Sequence, residues 1–220
     1  MNLLAIDTST QQTIVTLWFN QYEYTKIEDQ QRQQAALILP MIDTLLKEAN
    51  ASLSMLDGFV FGRGPGSFTG LRVGASIVKG FAYALDLPIY PVSTLQAIAA
   101  AGFQKEHNTP VLAILDARMN QLYWDYFDTN LQGIEEKVSD AKDIMVPSNT
   151  PITLLGVGFD SYWNDLSATL RTQIQHKEIQ YPEPRMMIQL VEKGLIQPLS
   201  ATEVTPVYIR NNVVTGASHG

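Results

Sequence analysis

"LAIDTSTQQTIVTLWFN", residues 4–20, and "AILDARMNQLYWDYFDT", residues 113–129, decide the fold. Set at a constant offset of 109, Ile6 and Asp7 meet Leu115 and Asp116, Gln12 meets Gln121, and Leu17 meets Tyr126. Each copy reads as an apolar strand ending in Asp, a polar turn and an aromatic-rich return strand. Coincidence between two hairpins is one explanation. The other is a duplicated α/β unit with a carboxylate at the tip of each first strand. Asp7 and Asp116 then have two readings: they face a cleft and hold a magnesium nucleotide, or each caps its own turn.

The rest of the chain builds around these hairpins. Strands are expected over 3–6, 13–19 and 22–27. "QAALILPMIDTLLKEAN" (34–50) predicts a helix with Ile38, Ile42, Leu45 and Ala49 on one face and Leu37, Met41 and Leu45 on the next, kinked at Pro40. "DGFVFG" (57–62) reads as a buried strand, and "TGLRVGASIVKGFAYALD" (69–86) as a helix whose polar positions are Arg72, Ser76 and Lys79. A strand, a turn at Pro91 and a helix capped by Ser93 or Thr94 follow. The polar segment 103–110 marks a boundary. Beyond the second hairpin come a strand and glycine turn in "TLLGVGF" (153–159), a short helix opened by Asp160, and a helix from Pro184 to near Gly194. "TPVYIRN" (205–211) is a final extended segment.

Of the 220 residues, 45% are hydrophobic and 17% charged, the composition of a well-cored globular protein. The net charge of −7, with no run of Lys or Arg, argues against a main nucleic-acid surface. There is no cysteine, which removes disulfides and thiolate chemistry together. The N-terminus lacks a basic signal region and no apolar run reaches the ~18 residues of a membrane span. A cytoplasmic protein that does not enter membranes is expected.

"FGRGPGSFTGLRVG" (61–74) resembles a phosphate cradle at first sight. A P-loop requires GxxxxGK[ST], and from Gly62, Gly64 or Gly66 the sixth position is Ser67, Thr69 or Leu71. The dinucleotide fingerprint GxGxxG fails at Ser67 as well. Two readings survive: a weak anion site at the start of a helix capped by Ser67 or Thr69, or a tight strand-to-helix corner with Gly70, Gly74 and Gly80 easing helix packing. Metal chemistry is unsupported, since His107, His176 and His219 are never at helical ligand spacing. "GASHG" (216–220) matches a nucleophile elbow in letters, but no helix can follow it, so it reads as a tail.

"LLAIDTST", "LPMIDTLLKEA", the long block from Phe61 to Ala99, "LAILDARMNQLYW" and "PVYIRN" together resemble the bacterial TsaB (YeaZ) family over nearly the whole chain. That resemblance implies an actin-like, Hsp70-like (ASKHA) α/β fold of two ribonuclease-H-like subdomains, 1–102 with about 195–220, and 103–194. It implies a non-catalytic subunit in making threonylcarbamoyladenosine beside the anticodon of tRNA. The partners implied are the transferase TsaD and the ATPase TsaE, or a second copy when TsaD is absent, with tRNA engaged only indirectly. TsaD-type metal ligands on the first long helix are missing, because "QQRQQAALIL" (30–39) offers glutamine and alanine there. No cofactor or metal of its own is expected, with ATP or ADP and magnesium placed at a complex interface and Asp7, Thr8 and Ser9 as the nucleotide candidates. The partner face is expected at Leu37, Met41 and Leu45 on the first helix and Arg72, Ser76 and Lys79 on the second. Gly62, Gly64, Gly66 and Gly70 then shape the corner that launches that second helix. The competing readings are a small free-standing ATPase or phosphotransferase and, with little chemical support, a protease.

Overall fold

The computed structural model describes residues 1–29, 34–104, 109–147 and 150–209. Two five-stranded mixed sheets carry the chain. In the first, β1 (Leu3–Asp7), β2 (Thr13–Phe19) and β3 (Tyr22–Glu28) form an antiparallel meander. β4 (Gly58–Gly64) and β5 (Ile89–Ser93) then add in parallel to the other side of β1, giving the order β3-β2-β1-β4-β5. The second sheet repeats this plan with β6 (Val111–Asp116), β7 (Leu122–Phe127), β8 (Lys137–Ser139), β9 (Ile152–Val157) and β10 (Ile174–Ile179), in the order β8-β7-β6-β9-β10. Strand directions repeat as well, which favours duplication over coincidence.

The expected alignment of the two hairpins is off by one on its first strand. Leu4 and Ile6 lie on the outer face of the first sheet, and their counterparts on the outer face of the second are Leu112 and Ile114, an offset of 108. The return strand keeps 109, because Leu17 and Tyr126 both face outward. Strand alternation does the rest. Asp7 falls on the inner face, whereas Asp116 falls on the outer one, so the two carboxylates are not counterparts.

α1 (Gln34–Glu48) and α2 (Phe68–Leu85) cover the outer face of the first sheet. α1 buries Ile38, Ile42 and Leu45 of one expected face together with Met41 of the other. Ser67 caps α2 by accepting from the Gly70 amide at 3.3 Å. α3 (Thr94–Gln104) and α5 (Pro184–Glu192) lie between the two sheets in one shared core. Their placement crosses the sequence boundaries: α3 packs on β6 and β9 of the second sheet, and α5 on β1, β2 and β4 of the first. A short α4 (Ala168–Gln173) and three-residue-turn helices at 141–143 and 159–165 cover the outer face of the second sheet. No helix among the described residues is long and apolar enough to cross a membrane.

Pro91 does not make the expected turn. It sits inside β5, an edge strand, where a residue without an N–H costs the sheet no ladder bond. β8, α4 and β10 were absent from the sequence reading: β8 is only three residues long, and β10 is exposed along most of its length and lacks apolar alternation.

Candidate functional site: a sealed carboxylate beside an open cleft

β1 delivers Asp7 to a fully buried position. Its Oδ1 accepts from the Ser9 hydroxyl at 2.8 Å and the Ser9 amide at 3.1 Å. Its Oδ2 has no hydrogen-bond partner among the described residues and lies against Gly62, whose absent side chain would also meet the Met187 methyl of α5. Burial pushes this carboxyl up to about 6, opposed by the Ser9 hydroxyl and then the Ser9 amide. Asp7 thus caps its own turn, and so does Asp116, whose Oδ1 accepts from the Arg118 amide at 2.8 Å.

The glycine-rich stretch exists to let the 7–10 turn lie directly on it. A Cβ at Gly62 would overlap Asp7 Oδ2, one at Gly66 the Ser9 carbonyl, and one at Gly70 the Thr8 carbonyl. At Gly74 a Cβ would come within 2.6 Å of the Thr8 hydroxyl. Thr8 donates to the Gly70 carbonyl at 2.7 Å, and the Ser67 amide donates to the Ser9 carbonyl at 2.7 Å. Amides that a phosphate cradle would aim outward at Ser67, Gly70 and Leu71 are used inside the chain. These contacts make a tight corner at Gly62, Gly66 and Gly70.

Between the two sheets' turns lies a cleft of about 810 Å³. Ser9 and Thr10 line one side with Ser67, Phe68 and Arg72; Leu115 to Met119, Tyr123 and Val157 line the other. Asp7 and Thr8 do not reach it. Asp116 does, but it is engaged by Arg118 at 3.3 Å and by the Tyr162 hydroxyl at 3.1 Å. The nucleotide candidates therefore do not form one metal-holding set. Among the described residues no group of three His, Asp or Glu side chains is gathered for a metal; His107, His219 and the 216–220 motif lie outside the described residues.

Of the expected partner residues, Met41 and Leu45 belong to the chain's own core, 6% and 0% exposed. They pack on the sheet beneath α1, so they present no surface, and this corrects the sequence reading. Leu37 is half-buried and Ser76 exposed. Arg72 and Lys79 already hold the chain's own C-terminal segment. Arg72 Nε donates to the Tyr208 hydroxyl at 3.1 Å, and Lys79 Nζ to the Val204 carbonyl at 2.9 Å. The side chains left facing outward on these helices include Leu39, 51% exposed, and Tyr83, 79% exposed.

Three features escaped sequence reasoning because they join distant segments. Gln34 is buried at the start of α1, where its amide donates to the Thr10 carbonyl at 3.5 Å. Arg63, within the glycine stretch, makes a paired contact with Glu136 at 2.9 and 3.0 Å that ties the two sheets together. Residues 199–208 run as a strap from the edge of β5, through the buried Val204, to the Arg63 carbonyl, which accepts from the Val207 amide at 2.8 Å.

This is a duplicated α/β protein whose strand-end carboxylate is sealed away from the cleft beside it. A family model described as TsaD, tRNA N6-adenosine threonylcarbamoyltransferase, matches residues 25–186. The chain is 34% identical to the tRNA threonylcarbamoyladenosine biosynthesis protein TsaB of Haemophilus influenzae, covering 97% of this chain and 95% of that one. It is also 34% identical to the protein of that name from Escherichia coli, covering 97% and 96%. The solved structure "YeaZ from Pseudomonas aeruginosa" superposes with a TM-score of 0.83 at 29% identity, over 94% of this chain and 99% of that one. The chain belongs to the TsaD/TsaB family, and these full-length relatives carry the TsaB name.

Proposed function

We propose that this chain is a TsaB-type subunit, without catalysis of its own, that supports threonylcarbamoyl transfer to the adenosine beside the anticodon in tRNAs reading codons that begin with A. The observation that carries this reading is the 34% identity, over nearly the full length of both chains, to proteins named for threonylcarbamoyladenosine biosynthesis. The sealed Asp7 supports it further. A free-standing ATPase needs an accessible carboxylate for its metal, and this one is fully buried. The same burial gives the phosphotransferase reading no support.

The transferase chemistry belongs, on this reading, to a TsaD-type partner, with a TsaE-type ATPase joining the assembly. Identical strand order in the two sheets supports an actin-like, Hsp70-like fold of two ribonuclease-H-like units, 1–102 with the segment from about 195, and 103–194. α1 and α2 form the docking face for TsaD, or for a second copy of this chain in its absence, through Leu37, Leu39, Ser76 and Tyr83. ATP or ADP with magnesium belongs to an interface in the complex rather than to Asp7. The protein works in the cytoplasm, and tRNA is reached through the partner.

Co-expression with the TsaD-type protein of the same cell, followed by nucleoside analysis of tRNA from a strain depleted of this chain, tests the reading. Co-purification and restoration of threonylcarbamoyladenosine are expected. Normal levels of the modified nucleoside without this chain would overturn it.

A further inference from the structure

We propose that the cleft beside Arg72 receives a partner segment carrying an aliphatic side chain next to a carboxylate. The proposal rests on α2 as a docking helix, since Arg72 belongs both to that helix and to the cleft wall.

The cleft's walls set the apolar half of the ligand. Leu115, Val157, Met119 and the Tyr123 ring face into it from the second sheet, and Phe68, Val207 and Tyr208 close it from the first. Its charges set the other half. Asp116 is already matched by Arg118 at 3.3 Å, and Asp7 is sealed behind Ser9. That leaves Arg72, which is exposed and makes no ion pair among the described residues. In a chain of net charge −7, a cleft whose described residues leave one cation unmatched is selective for an anion.

Arg72 is also held ready. Its guanidinium lies 3.9 Å from the centre of the Phe68 ring, and the Tyr208 ring sits 5.2 Å from that of Phe68. Tyr208 accepts only from Nε at 3.1 Å, so the terminal nitrogens remain for a two-point contact with a carboxylate. An arginine stacked on the Phe68 ring and tethered to Tyr208, beside an apolar recess, is the composition of an interface hot spot. A partner segment that lays an aliphatic side chain into the recess brings its carboxylate to this guanidinium. Because Tyr208 is at the end of the described strap, docking there also engages the C-terminal segment.

The ¹⁵N-labelled full-length chain is titrated with acetyl-Leu-Leu-Glu-amide, with acetyl-Leu-Leu-Gln-amide, and with magnesium ADP. The glutamate peptide is expected to shift the Arg72 Nε–H and the backbone signals of Ser67 and Tyr208, and to bind about tenfold more tightly than the glutamine peptide. That preference should vanish in Arg72→Ala and survive in part in Arg72→Lys, with both variants still folded by circular dichroism even though Arg72→Ala gives up the bond to Tyr208. Absence of these shifts at millimolar peptide, equal binding of the two peptides, or magnesium ADP moving the same signals at lower concentration would each overturn the proposal. None of these results depends on tRNA modification, so they separate this site from the family function.

Discussion

The Cα of Gly62 faces Asp7 Oδ2 so closely that any side chain there would overlap the carboxylate. One residue explains the other. β4 needs a glycine beside β1 because its backbone packs directly on the inner-face carboxylate of β1, and that contact helps keep the carboxylate buried.

Gly62→Ala should therefore destabilise the chain by about 2–4 kcal/mol, since neither the β4 backbone nor the buried carboxylate can move far. Urea denaturation followed by circular dichroism measures it. A change below about 0.5 kcal/mol would show that the contact relaxes freely.

Asp7 predicts a pH dependence. Folded, its carboxyl holds a proton up to about 6, whereas an ordinary aspartate carboxyl gives it up at 3.8. Between those values the folded state binds more protons than the unfolded, so stability falls as pH rises and the full penalty is present above 6. The penalty is on the order of 3 kcal/mol. Asp7→Asn should remove it, giving a variant more stable than the parent at pH ~7.5 and similar to it at pH ~4. Denaturation midpoints of the pair across that range decide the matter.

Glycines at the corner and on α2 separate structure from docking. Gly66→Val and Gly70→Ala meet the Ser9 and Thr8 carbonyls and should lower stability and partner binding together. Gly80 is exposed with nothing near its absent Cβ, so Gly80→Ala should raise stability by about 0.5–1 kcal/mol. If α2 docks through its small residues, that stabilised variant should bind TsaD more weakly, as titration calorimetry would report.

The α1 face gives a second contrast. Leu39→Asp changes a half-exposed side chain and should leave the fold intact while weakening the complex. Leu45→Asp places a charge in the core and should unfold the chain instead. Similar melting temperatures for the two variants would refute this division.

Arg63 and Glu136 join the sheets through a largely buried pair, 26% and 15% exposed. Glu136→Ala should cost about 1–2 kcal/mol after allowing for screening, and Arg63→Ala a similar amount. A double-mutant cycle measures their coupling, and zero coupling would remove the pair as a clamp.

Local pattern was enough for much of this architecture. The apolar run of β1, the 3.6-residue period of α1 and the Ser67 cap of α2 are consequences of neighbouring residues, so they were legible one window at a time. The hairpin repeat announced the duplication for the same reason. The candidate site was legible only in part. The sequence named Asp7, Ser9 and the glycines, but not that the glycines are there to receive the 7–10 turn.

What the sequence by itself determined was the strongly patterned helices and strands, the repeat and the family pattern, because these depend on residue order alone. Only tertiary structure decided which way each side chain faces. A one-residue difference in hairpin alignment sent Asp7 inward and Asp116 outward, and dissolved the expected pair. The apolar width of α1 looked like partner surface until the sheet beneath it claimed Met41 and Leu45. Arg72 and Lys79 read as wholly free docking charges until a strap more than a hundred residues away in sequence took Lys79 and the Nε of Arg72, leaving only the terminal nitrogens of Arg72 open. Burial and long-range contact are properties of the packed chain, and no local window contains them.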